Sequence, residues 1–216
     1  MDLAGKKLRY LIGSDGRQVG HVEEVTEVGY WTEPALHGVS VGYCNLFDEE
    51  NTGKLGPYLH DSDTAAQYGE GQIDPRGSGW ERNLAEQFRR RKRQGFNYVE
   101  LDNADAYSVR HVLGAVKVAK LNYGLRVIAK NPLLLEGFPL NYVRQCHGII
   151  VERDAGNPKD MHALRSRAGM PDMPVWFVAF GAGRGWADET AGAAKDYLNM
   201  FVTYSSRGEY ENSVDL

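Results

Sequence analysis

Gly95-Phe96-Asn97-Tyr98-Val99-Glu100-Leu101-Asp102-Asn103-Ala104-Asp105 is a short apolar-alternating run that ends in a cluster of acids and amides. It reads as a β-strand delivering carboxylates to a surface. Side chains alternate along a strand, so Tyr98, Glu100 and Asp102 share one side and Val99 and Leu101 take the other. Asp102 falls at the exit. Just upstream, Trp80, Leu84 and Phe88 stand at i, i+4 and i+8 among arginines, a lysine and acids, the pattern of a helix with one buried stripe. Ser78 or Gly79 is expected to cap that helix and Gly95 to end it, leaving a minimal connection into the strand.

Working outward, the same alternation continues to the end of the chain. Ser108 to Tyr123 reads as a helix stopped by Gly124, and Leu125 to Asn131 as a strand. Leu140 to Cys146 is short and mixed, Gly148 to Glu152 a strand, Lys159 to Ala168 a helix and Val175 to Phe180 a strand. Ala187 to Leu198 and Phe201 to Ser205 complete the series as helix and strand. Toward the N-terminus, Leu8 to Ile12, Val22 to Tyr30 and Gly38 to Leu46 read as strands, Asp48 to Asp63 as loop, and Gln72 to Asp74 as the end of another strand. Seven or eight strands emerge.

Strands that alternate with helices and are nearly continuous in apolar residues belong to a parallel sheet covered on both faces. An open, doubly wound sheet is expected to carry a Gly-rich turn after its first strand, whereas here carboxylates, amides and a lysine recur at successive strand exits. A closed barrel gathers such exits at one mouth. The expected fold is therefore α/β, a compact (β/α)8 TIM-type barrel forming one domain over 1–216. Because 216 residues is short for eight full units, abbreviated ones are expected in the N-terminal region.

Composition narrows the function. A chain of 216 residues that is 42% hydrophobic and 25% charged can bury a sizeable core. Its formal charge of -4 argues against a duplex nucleic-acid binder, whose affinity rests on cationic contacts to phosphate. No apolar run approaches the roughly 18 to 20 residues that a membrane span requires. Lys6 and Lys7 are not followed by an apolar segment of the kind found in signal peptides, so a cytoplasmic location is expected, or an extracellular one if the chain is the trimmed form of an exported protein. Cys44 and Cys146 stand outside any metal or redox spacing and are expected to be free thiols.

On a barrel, the strand exits would place Asp74, then Asp102 with Asn103 and Asp105, then Lys130 with Asn131, then Glu152 with Arg153 and Asp154 on one face. That is an acidic cleft with one lysine. Glycoside hydrolysis needs one protonated carboxyl to donate to the leaving oxygen and one ionised carboxylate as nucleophile or base. Asp102 and Glu152 are the natural pair. An ammonium beside one of them would lower its pKa, while the other, desolvated near a like charge, would be raised. Glu100, deeper on the same strand face, is either a structural partner of Lys130 or a third tuning charge. The alternative is that acids and amides at strand ends serve only as helix caps and turn acceptors.

From about Tyr68 to Phe180 the chain resembles glycoside hydrolase family 114, the endo-α-1,4-polygalactosaminidase-like group of (β/α) barrels. The matching pieces are Gln72-Ile73-Asp74-Pro75-Arg76, the Gly95 to Asp105 stretch, Gly124-Leu125 with Ala129-Lys130-Asn131, and Glu152. Gly42-Tyr43 matches the family's second-strand tyrosine more loosely. Ala179-Phe180 stands where the family often has an acid and an aromatic. The resemblance implies that Asp102 and Glu152 are the catalytic carboxyls, with Lys130, Asn131 and Asp74 lining a sugar site that Tyr43, Asn103 and Asp105 extend. It also implies a carbohydrate substrate and no metal or organic cofactor.

Other signals compete. Gly38-Val39-Ser40-Val41-Gly42 has a serine-hydrolase spacing, but Ser40 lies inside a strand rather than on the sharp turn such a nucleophile needs. Gly181 to Gly185 follows a strand and precedes a helix, so with Arg184 it could cradle a phosphorylated metabolite, unless it is a flexible connection. A carbohydrate-binding relative without catalysis is the other rival. Arg89 to Arg93 is expected to be a solvated helix face. His60, Asp61 and Asp63 are a weak metal candidate, and Trp31 and Trp186, expected on loops, are candidates to stack on a sugar.

Overall fold

In the computed structural model, the residues described are 3–11, 24–28, 34, 38–47, 72–137, 139–205 and 214–215. Runs rich in valine, isoleucine and aromatics form the strands, as their branched and planar side chains favour. Three come first: β1 (Lys7–Leu11), β2 (Glu24–Val28) and β3 (Val39–Asn45). Helix α1 (Ser78–Gln94) leads into β4 (Tyr98–Asp102), α2 (Val109–Tyr123) into β5 (Arg126–Lys130), and α3 (Pro139–Val143) into β6 (Ile149–Glu152). Then α4 (Pro158–Arg167) precedes β7 (Val175–Phe180), α5 (Arg184–Ala194) precedes β8 (Met200–Ser205), and β9 (Val214–Asp215) closes the series.

The strands lie in chain order, β1 to β8 parallel and β9 antiparallel to β8. The sheet curls until β1 and β8 touch, and the Thr203 hydroxyl donates to the Leu8 carbonyl at 2.8 Å. This is a TIM-like arrangement of a curled parallel sheet. One buried cluster, including Leu8, Val41, Tyr98, Ile128, Ile150, Trp176 and Val178, fills the inside of the curl. The larger cluster packs the outer faces of the strands against the helices, with Phe88, Leu101, Val116 and Phe177 among its members.

Two expected helix stops hold for a physical reason. Gly95 and Gly124 sit at φ 96° and 62°, the left-handed region where a glycine avoids the Cβ clash, and their amides bond back to the last turn. At the other end of α1 the expected cap is displaced: Gly77 is the capping position, Ser78 is already helical, and no side chain caps the end. Gln72 to Asp74 contributes an isolated bridge at Ile73 rather than a strand. Helix α5 begins at Arg184 and ends at Ala194, both earlier than the apolar spacing predicts.

Candidate active site

Alternation along β4 turns Tyr98, Glu100 and Asp102 into the curl, and the same rule on β5 and β6 turns Lys130 and Glu152 toward them. Three carboxyl groups thereby converge on one ammonium. Lys130 Nζ lies 2.8 Å from Asp102 Oδ1, 3.0 Å from Glu152 Oε1 and 3.7 Å from Glu100 Oε1. Depth grades the set: the Glu100 side chain is 0% exposed, Lys130 6%, Asp102 21% and Glu152 34%. The two acids nearest solvent are the two that the strand exits predict as a pair.

Each acid is held by more than the lysine. Asp102 accepts from the Tyr43 hydroxyl at 2.8 Å and from the Asn103 backbone at 2.9 Å. Burial by itself would raise the Asp102 pKa; the Lys130 charge and hydrogen bond, the Tyr43 hydroxyl and the Asn103 amide together outweigh it, and the carboxyl is held below its usual range. Glu152 is fixed by Asn131, whose Nδ2 donates to Glu152 Oε2 at 3.0 Å while its Oδ1 accepts from the Glu152 backbone at 2.9 Å. Asn103 and Asn131 occupy left-handed backbone at φ 58° and 45°, a conformation asparagine tolerates better than most residues. Both strands thus turn sharply straight after delivering Asp102 and Lys130.

Of the remaining residues read from the sequence, Tyr43, Asn103, Lys130 and Asn131 join this cluster. Asp74 is bound elsewhere, by Arg76 at 2.7 Å, and hydrogen bonds from Arg76 hold its carboxyl down at about 2. Asp105 is exposed on the 3-10 turn Ala104–Ala106 above the cluster. Surrounding protein pushes its carboxyl up, and the charges of Asp102 and Glu152 add to that, although water at an exposed group screens the effect. Among the described residues no group of three His, Cys, Asp or Glu side chains is arranged to hold a metal ion.

Several expectations change. Arg91, within the arginine run expected to be solvated, is fully buried: its Nε and Nη2 donate to the Tyr43 carbonyl at 3.0 and 2.7 Å. Gly42 makes room for it, since a Cβ there would lie 2.7 Å from Arg91 Cδ. The Gly38 to Gly42 stretch therefore serves packing, and Ser40 sits in β3. Gly181–Gly183 is a 3-10 turn running into α5, and Arg184 pairs with Asp188 at 3.0 Å and lies over the Tyr204 ring. Trp186 is in α5, partly buried and edge-on to Phe177, rather than on a loop. Trp31, His60, Asp61 and Asp63 lie outside the described residues. Sequence reasoning missed Asn45, Asn83, Gln87 and Arg91; polar residues at i, i+4 and i+8 beside the Trp80, Leu84, Phe88 stripe were the available signal.

Comparison with known proteins points to the fold. No family model matches the chain, and no curated protein sequence matches it either. Among solved structures, the complex of Aspergillus fumigatus Ega3 with galactosamine superposes with a TM-score of 0.66 at 13% identity, covering 96% of each chain. The glycoside hydrolase domain of PelA from Pseudomonas aeruginosa gives 0.57 at 13% identity, over 93% of this chain and 98% of that one. A variant of that domain gives 0.59 at 10% identity. At such identities the likeness is one of fold.

Proposed function

We propose that the chain is a glycoside hydrolase of the family 114 type, built on a closed (β/α)8 barrel, that cleaves a galactosamine-containing polysaccharide with Asp102 and Glu152. The observation that carries the reading is the pair of carboxyls bridged by Lys130 at the strand exits. Two further points support it: the sequence resemblance at the same residues, and a fold shared with a glycoside hydrolase domain and with a galactosamine complex.

The geometry favours retention of configuration. Asp102 Oδ1 and Glu152 Oε1 lie at 2.8 and 3.0 Å from one nitrogen, so their separation cannot exceed the sum of those lengths. Retaining enzymes hold their carboxyls about 5 to 5.5 Å apart, whereas inverting enzymes need about 6.5 to 9.5 Å to admit a water. Asp102, kept ionised by its donors, attacks the anomeric carbon as the glycosidic C–O bond breaks. Lys130 lies against both acids rather than beside one, so Glu152 first takes up a proton from solvent and then passes it to the leaving oxygen. Water, deprotonated by Glu152, then attacks the same carbon and releases Asp102, restoring both groups.

The test is hydrolysis of a panel of polysaccharides, galactosamine-containing ones among them, by wild type, Asp102→Asn and Glu152→Gln, with the product anomer read by proton NMR. Turnover abolished in both folded variants, with retained configuration in the wild type, is the expected result. Turnover that survives both substitutions would sink the assignment.

A further inference from the structure

The described pairing of β2 with β3 ends at Val28 opposite Gly42, yet β3 runs on to Asn45, after which the chain bends at Leu46 and Phe47. Along that stretch the backbone is met by side chains of α1. Asn83, Gln87 and Arg91, spaced four apart, form one buried polar row on a helix whose neighbouring row is Trp80, Leu84 and Phe88. Arg91 donates twice to the Tyr43 carbonyl. Gln87 accepts from the Asn45 amide at 2.8 Å and donates to the Asn45 carbonyl, the two bonds that a neighbouring strand would supply. Asn83 donates to the Phe47 carbonyl at 3.2 Å and accepts from Gln87 Nε2 at 2.9 Å, which fixes the amide between them.

The two residues gripped in this way face the cluster. Tyr43 delivers its hydroxyl to Asp102, and Asn45 Oδ1 accepts from Asn103 Nδ2 at 2.7 Å, next to the Asn103 amide that binds Asp102. We propose that Asn83, Gln87 and Arg91 are the positioning residues of the candidate active site: standing in for a strand along Tyr43 to Phe47, they set where Tyr43 and Asn45 meet Asp102 and Asn103. Its catalytic consequence rests on the glycosidase reading; its structural core does not. A buried amide that serves only as filler could be replaced at a cost in stability alone, whereas a positioning amide alters the group it aims.

The experiment uses Gln87→Met, close in length but unable to make either bond, and Gln87→Asn, whose amide falls one methylene short. Each is compared with wild type and Tyr43→Phe. Two readouts are taken: kcat and KM on the galactosamine polymer, and the pH titration of the Asp102 carboxyl followed by carbon-13 NMR. The expected result is a kcat lower by about 10- to 100-fold at unchanged KM, the signature of a transition-state effect. Asp102 should titrate at higher pH than in wild type, in the direction of Tyr43→Phe. Thermal stability that falls while kcat and the Asp102 titration stay at wild-type values would overturn the proposal. Should the wild type hydrolyse no glycan, the function assignment fails, and the Asp102 titration in the folded Gln87 variants still decides the positioning role.

Discussion

Lys130 is one ammonium serving three carboxyl groups, and its removal leaves Glu100 buried beside two further acids with their shared cation gone. Breaking a buried pair from one side typically costs about 3 to 5 kcal/mol, much of it the desolvation of the charge left behind. Lys130→Met is expected to lower unfolding free energy by about that amount in urea titrations at pH 7, and to abolish turnover. Acid should act through Asp102 in a definite direction. Its folded pKa is depressed below an unfolded value of about 3.9, so the stability it contributes is present above that value and is lost as pH falls through the folded pKa. Urea midpoints measured from pH 7 down to pH 2 should drop below about pH 4 in the wild type, and less steeply in Asp102→Asn. The convergence of Asp102, Lys130 and Glu152 was legible, because period-two alternation fixes which residues leave a strand on the same side. The arrest of Asp74 by Arg76 was not: an exit position says where a carboxyl begins, and a guanidinium two residues on decides where it goes.

At the scale of elements, α1 shows what hydropathy can and cannot reveal. Its apolar row and its glycine stop were visible from spacing alone. Its second buried row is polar, and the arginine within it looks like any other cation in a basic run until a strand backbone is found opposite. The stop is open to a clean test. A Cβ at Gly95 would meet nothing within 4 Å, so Gly95→Ala pays only for the left-handed backbone. The expected loss is about 1 to 2 kcal/mol in urea unfolding, with the activity of the folded protein unchanged. Helix α5 was misjudged at both ends because alanine and glycine carry little hydropathic signal, and its start is coupled to the 3-10 turn that precedes it.

Across the whole molecule, the inside of the curl divides by height. Trp176 fills its base, fully buried, with the indole donating to the Lys6 carbonyl at 2.8 Å, while charged groups occupy the mouth. Gly148 admits that indole, since a Cβ there would lie 2.6 Å from the ring. Trp176→Phe removes both volume and a buried hydrogen bond, and an expected loss of about 2 to 4 kcal/mol should be visible in a urea titration. Activity of the folded protein should survive, because the base and the mouth are separated along the strands. A drop in kcat without a drop in stability would contradict this division. The parallel order from β4 onward was legible in the regular beat of strands and helices. The N-terminal strands were legible too, since β1, β2 and β3 overlap the runs Leu8 to Ile12, Val22 to Tyr30 and Gly38 to Leu46, and only their ends were less sharply marked, because the stretches between them show no dominant period.

The row of side chains that replaces a strand beside Tyr43 to Phe47 also bears on how such a protein changes over generations. A strand neighbour holds its partner through backbone groups that every residue shares, so it can be altered only by shifting the element. Asn83, Gln87 and Arg91 can each be exchanged singly. The aim of the candidate cluster is thus exposed to point mutation on a helix outside the strands that carry its acids, and on the glycosidase reading selection can retune it while leaving those acids untouched.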